Sequence, residues 1–305
     1  MNEHKSGAFQ FNNMIELFNG HIKLSIEEPH EGYVGTRFDW TGKVVQLWWK
    51  NTPLCSTELA GSNSFMQGKG FFNEFGISEA IGYDSCQPGD YFPKIGVGLL
   101  KKENAKPYDF FHQYDNLPFE FTTRMENLSV TLACINRHPQ SAFYLEKKIS
   151  LTDSGFIIDY QLENRGHLVF STNEYVHNFL SPGNRFLSKH TQLSIGDEIN
   201  ALSFSEGLNP GDCLSFSKNQ ISWQCTPVSD FFFENIAQVS GAGKHWTLLD
   251  KQLKLALSER VDFIPHKINL WGRAHVLSPE LFKNIKLMPG ETDRWQRVFE
   301  IQEIE

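Results

Sequence analysis

No uninterrupted run of Ala, Val, Ile, Leu, Met, Phe, Trp, Tyr and Cys in the 305-residue chain exceeds four residues. A membrane-spanning helix needs ~20 apolar residues and a secretory leader an apolar stretch of at least ~7. The expectation is therefore a soluble, cytoplasmic protein with no membrane partner. Cysteine is scarce: the five are Cys55, Cys86, Cys134, Cys213 and Cys225, with no CxxC pair, which argues against a zinc knuckle or a dense disulfide framework and favours reduced, buried thiols. Positive charge is also in deficit, with 28 Lys+Arg against 36 Asp+Glu and a net charge of -8, so nucleic acid is an unsuitable partner. The 11 histidines form no HxH or HExxH spacing, and no metal site is expected. Phosphate loops of the GxxxxGK[ST] type are missing, Gly96-Val97-Gly98 lacks the rest of a dinucleotide fingerprint, and Gly61-Ser62-Asn63-Ser64 only approaches a GxSxG nucleophile turn.

Aromatic residues are plentiful, with 26 Phe, 7 Trp and 8 Tyr making 13% of the chain, a composition suited to pleated faces. Period-2 alternation dominates. Phe156, Ile158, Tyr160 and Leu162 share one parity against Asp159, Gln161 and Glu163, and Phe143, Leu145, Lys147 and Ile149 precede the turn Thr152-Asp153-Ser154-Gly155, which predicts a hairpin. A third strand begins in 168–179, and others are expected at 43–49, 129–136, 192–195, 221–226, 252–258 and 284–289. Apolar spacing of 3.6 residues is never sustained beyond about two turns. The fold class is all-β, a sandwich or barrel. No linker, repeat or charge run divides residues 1–305, which read as one domain; the first 20 residues are weakly patterned and either fray or add an edge strand.

Four segments combine turns, aromatics and charge. In Gly35-Thr36-Arg37-Phe38-Asp39-Trp40-Thr41-Gly42 the two charges alternate with aromatics and could share a face of an extended segment; taken alone, a surface ion pair of Arg37 with Asp39 beside a turn is the preferred explanation. The stretch from Gly70 to Gly98 is rich in glycine and holds Glu74 and Lys94 in a compact, looped region. In Asn173-Glu174-Tyr175-Val176-His177-Asn178, residues 173, 175 and 177 share one strand face, a polar and aromatic lining suited to a pocket wall. Near the C-terminus Trp271 offers a flat apolar face for a sugar ring and Glu280 a carboxyl for proton transfer, although on spacing alone Trp271 suits the core and Glu280 the surface.

Taken in order, Gly35–Gly42, Glu74-Phe75, Phe92-Pro93-Lys94-Ile95-Gly96-Val97-Gly98, Glu174-Tyr175-Val176-His177-Asn178, Ser278-Pro279-Glu280 and Pro289-Gly290-Glu291 resemble a bacterial branch of the galactose mutarotase-like (aldose 1-epimerase) superfamily over about residues 30–300. The resemblance implies a single β-supersandwich with a sugar cleft on one sheet, and a cofactor-free reaction. In that reaction a glutamate removes the proton of the anomeric hydroxyl while a histidine protonates the ring oxygen, so that the hemiacetal opens and recloses on its other face. By position His177 is similar to the acid and Glu280 is the candidate base, with Glu74 next in line. Arg37, Asp39, Glu74, Lys94 and Asn178 would bind sugar hydroxyls and Trp271 would stack. The Asn-His-Gly-Gly segment of typical galactose mutarotases has no counterpart here, and Gly70–Gly76 sits roughly in its place, which leaves the sugar open. The alternatives are a carbohydrate-binding domain without turnover and an epimerase for an anionic sugar held by Arg37 and Lys94.

Overall fold

The computed structural model describes residues 7–11, 14–62, 64–200, 204–237 and 243–305. Asn63 of the serine-turn look-alike and the first six residues lie outside them. Among the described residues the first half of the chain forms β1 (Gly7–Phe11), β2 (Met14–Phe18), β3 (Ile22–Glu27), β4 (Lys43–Trp49), β5 (Thr52–Pro53), β6 (Phe71–Phe75), β7 (Tyr91–Lys94), β8 (Gly98–Lys101), β9 (Asn116–Pro118), β10 (Glu120–Met125), β11 (Ser129–Asn136) and β12 (Phe143–Leu151). There follow β13 (Gly155–Asn164), β14 (Phe170–Asn178), β15 (Thr191–Ile195), β16 (Glu206–Leu208), β17 (Leu214–Ser217), β18 (Gln220–Trp223), β19 (Phe231–Glu234), β20 (His245–Asp250), β21 (Leu255–Val261), β22 (Lys267–Arg273), β23 (Val276–Leu287) and β24 (Thr292–Glu303).

The β12–β13 hairpin forms as its alternation dictates: Leu145 pairs with Leu162 and Ile149 with Ile158, and the turn closes where Thr152 N–H donates to the Gly155 carbonyl. Extension of this pattern builds a sheet in the order β10-β11-β12-β13-β24-β21-β20-β15-β18-β17. A second sheet runs β1-β2-β3-β4-β6-β14-β23-β22-β19-β16, with β5 on β4, so the N-terminal segment adds edge strands. The two sheets pack face to face through one apolar layer, in which Phe71 of β6 meets Phe156 of β13 and Phe299 of β24 at ring-centroid separations of 5.1 and 4.8 Å. Polar residues at inward positions are paired: Arg297 reaches Glu174 and Glu259, and Lys147 donates to Asp39 and Asn73. On its far side the second sheet carries a smaller apolar cluster around Phe38, Phe72 and Phe179, beneath the small sheet β7-β8-β9 and the segment 33–40.

Three expectations are corrected. The strand drawn at 252–258 begins at Leu255, because the Asp250 carboxylate accepts from the N–H groups of Gln252 and Leu253 and fixes a turn that ends with Lys254 at φ 54°. The strand drawn at 284–289 is the end of the twelve-residue β23, which carries Ser278-Pro279-Glu280 in extended conformation. Cys213 and Cys225 are joined in a disulfide at the neck of the β17–β18 hairpin, whereas Cys55, Cys86 and Cys134 are free. No helix among the described residues is long and apolar enough to cross a membrane.

Candidate active site

β14 presents Glu174, Val176 and Asn178 to the layer between the sheets and Tyr175 and His177, followed by Phe179 just beyond the strand, to the other side, because successive side chains alternate. Its ladder with β23 runs from Phe170 opposite Leu287 to Glu174 opposite Lys283 and resumes at Leu180 opposite Leu277. That register sets His177 directly across from Glu280. Between these anchors ordinary pairing gives way: Pro279 has no N–H, the Asn178 N–H donates to Ser278 Oγ at 2.9 Å, and the Asn178 side-chain amide donates to the Pro279 carbonyl at 2.6 Å. Neighbouring strands continue the row, with Phe72 of β6 beside His177 and Asn269 of β22 beside Glu280. The next row joins Glu74, Tyr175, Phe282 and Lys267.

This face floors a cavity of about 560 Å³, within the range of small-molecule sites. His177 and Glu280 both line it, at 3% and 4% exposure. His177 Nε2 stands 3.5 Å from Glu280 Oε1, the oxygen to which Ser278 Oγ also donates at 3.0 Å. Burial, reinforced by Arg37, holds the His177 imidazole well below its usual range, and burial pushes the Glu280 carboxyl up to about 8 against the opposing Ser278 hydrogen bond. Both shifts favour the uncharged forms, a neutral imidazole beside a neutral carboxyl. The His177 ring is fixed between Phe179, stacked at 4.2 Å, and Trp271, edge-on at 5.0 Å.

The raised carboxyl has a thermodynamic consequence. Its folded-state pKa lies above the unfolded 4.5, so the stability it contributes is full below pH ~4.5 and lost as pH rises through about 8. Glu280→Gln is expected to flatten the fall in melting temperature between pH 5 and 8 and to leave the variant more stable than the parent at pH 8. An unchanged pH slope in differential scanning fluorimetry would count against a protonated, buried carboxyl.

The candidate residues read from the sequence divide into three groups. His177, Glu280, Arg37 and Trp271 line the cavity. Glu74 and Lys94 are fully buried behind it: Glu74 Oε2 accepts from Arg37 Nε at 2.8 Å and Tyr175 Oη at 2.6 Å, and Lys94 lies 3.5 Å from Glu74 Oε1, with burial lowering its ammonium to about 8. Their place is to orient Arg37 and Tyr175. Asp39 and Asn178 lie away from the cavity. Asn178 follows His177 by one residue, so it faces the core and meets Glu259. Asp39 turns inward to Lys147 Nζ at 3.0 Å and to the Thr41 N–H, in space left by Gly96, where a Cβ would collide with its carboxylate. Arg37 and Asp39 therefore form no pair with each other.

Residues that the sequence reading passed over are Lys267, Asn269 and Arg273 on β22, with Asp230, Phe232 and Glu234 from the edge of β19. The signal for the first three was present: Lys267, Asn269, Trp271 and Arg273 share the parity opposite to the core residues Ile268 and Leu270. Asn269 Oδ1 accepts from the Asn235 N–H at 3.1 Å, and Asn269 is the partner of Glu280 in the β22–β23 ladder. The cations at the cavity wall are engaged: Arg37 with Glu74, Lys267 with Glu234 at 2.6 Å, and Arg273 with Asp230 at 2.8 Å. Among the described residues no group of three or more His, Cys, Asp and Glu side chains is arranged to hold a metal ion.

The two face-to-face antiparallel sheets match the galactose mutarotase-like fold. Among solved structures, a galactose mutarotase-like protein from Lactobacillus casei matches with a TM-score of 0.59 and 13% identity, covering 95% of this chain and 100% of the other. A galactose mutarotase-like protein from Clostridium acetobutylicum gives 0.58 and 11%, covering 95% of each chain. The GalM/aldose epimerase homologue from C. elegans gives 0.58 and 11%, covering 96% of this chain and 99% of its own. No protein-family model and no curated protein sequence matches the chain. At these identities the likeness establishes the fold.

Proposed function

We propose that the protein is an aldose 1-epimerase-like enzyme that interconverts the anomers of a neutral free sugar through His177 and Glu280. The observation that carries this reading is their position across one ladder on the floor of the cavity, 3.5 Å apart. Mutarotation moves a proton off the anomeric hydroxyl and another onto the ring oxygen. Both oxygens are bonded to C1, so an acid and a base a few ångströms apart serve one sugar without moving it. Near neutral pH the pair holds a single proton, resting on Glu280. Ring opening gives that proton to the ring oxygen and recovers one from the anomeric hydroxyl, so the pair's proton count is unchanged after each half-reaction. The resting charge states support Glu280 as the initial donor and His177 as the initial acceptor, the reverse of the roles that the family resemblance implies. Ring closure on the other face runs the same transfers backwards.

Engagement of Arg37, Lys267 and Arg273 by carboxylates favours a neutral sugar over a phosphorylated or uronic one. The activity test is exchange NMR on a panel of aldoses. The expected result is accelerated α/β interconversion of at least one, with kcat/KM falling above pH ~8 as the pair loses its proton and falling again well below pH 6.5 as it takes a second. Saturable binding with no acceleration for any sugar would select a carbohydrate-binding domain instead.

A further inference from the structure

Along the β14–β23 ladder the face that carries His177 and Glu280 continues past Tyr175 and Phe282, whose rings stack at 4.4 Å, to Asn173 opposite Asn284 and Ser171 opposite Lys286. Beside these last two pairs lies a second cavity of about 490 Å³. The two cavities share Ser78 and Lys267 as walls, so they adjoin in one groove. The second one is edged by amides and hydroxyls, with charges of both signs at its rim from Lys286 and Glu79. Asn173 Oδ1 accepts from the Ile77 N–H at 3.3 Å, leaving its amide hydrogens uncommitted there.

We propose that this groove holds an oligosaccharide by its reducing end, with the terminal ring over His177 and Glu280 and a following ring beside the Asn173–Asn284 pair. The inference rests on the reading of His177 and Glu280 given above. Distance decides the ligand class. Asn173 and Asn284 lie four residues along their strands from His177 and Glu280, about 13 Å at ~3.3 Å per residue. A single pyranose, even with a phosphate on its C6, falls short of that span, and a second ring covers it. The chemistry agrees: the amides of Asn173 and Asn284 and the hydroxyls of Ser78, Ser171 and Thr172 are donors and acceptors of the kind that sugar hydroxyls require.

Isothermal titration of the full chain with glucose, maltose, cellobiose and maltotriose, and with galactose and a galactobiose, reads the groove directly. At least one disaccharide is expected to bind tenfold or more tightly than the hexose at its reducing end. Ser171→Trp, which fills the second cavity from an exposed strand position, is expected to lower that ratio at least tenfold, and Asn284→Ala to lower it about threefold. Equal binding of hexose and disaccharide, a preference for a hexose 6-phosphate, an unaltered ratio in both variants, or no sugar bound at all would each overturn the proposal. Exchange NMR on the same samples separates it from the catalytic reading. Preferential disaccharide binding without anomer exchange removes the catalysis and keeps the groove, whereas exchange of a hexose with no gain from a second ring does the opposite.

Discussion

Glu280→Gln and His177→Asn are each expected to lower the rate of anomer exchange by about 10² or more, with the loss in kcat and a smaller change in KM. Gln keeps the shape of the Glu280 side chain, Asn leaves a polar amide in place of the His177 ring, and both remove the capacity to carry the proton. Because each transfer at one group demands the complementary transfer at the other, the double variant should be hardly slower than the weaker single one; groups that act as a unit are non-additive in this way. Exchange NMR under saturating sugar checks both expectations. Wild-type rates in both single variants would remove the pair from the chemistry and turn attention to the Arg37, Glu74 and Tyr175 cluster at the same wall.

The second large effect concerns stability. Arg297 is fully buried between the sheets, where Nε and Nη2 donate to the two oxygens of Glu174, Nη1 donates to Glu259, and Nη2 also reaches the Leu281 carbonyl at 2.9 Å. Burial pushes the Glu259 carboxyl up even beside this guanidinium, since one cation faces two carboxylates. Arg297→Met strands both acids in an apolar layer and is expected to cost about 3–5 kcal/mol in urea unfolding. Adding Glu174→Gln and Glu259→Gln to that variant should restore most of the loss, because the penalty lies in uncompensated charge. A triple variant no more stable than Arg297→Met would show that shape and hydrogen bonding, and not charge, set the cost. Asn178 and Trp246 Nε1 also bond to Glu259, so the network reaches β14 one residue from His177.

How much of this was legible in the residues depends on which force placed them. The β12–β13 hairpin follows from alternation alone, since every second side chain is buried. The ends of β21 and β23 were not legible, for opposite reasons. Leu253 continues an apolar alternation into a turn that the Asp250 carboxylate fixes, whereas Ser278-Pro279-Glu280 has turn-like composition yet stays extended, held by Asn178, which donates to Ser278 Oγ and to the Pro279 carbonyl. The approach of His177 to Glu280 came from the family resemblance; the residues alone favoured Glu280 at the surface. Asn178 and Asp39 were assigned to the cleft because they share its motifs. Strand parity turns the first to the core, and the space at Gly96 admits the second. The disulfide of Cys213 with Cys225 joins residues at the two ends of a short hairpin, a pairing that no motif in the chain announces.

The strand β22 separates two duties by parity. Ile268 and Leu270 hold the sandwich together, while positions 267, 269, 271 and 273 line the cavity. The lining of the cavity is therefore open to alteration by randomising four alternate codons with the hydrophobic register left intact, and a single strand becomes an adjustable comb set in a fixed handle.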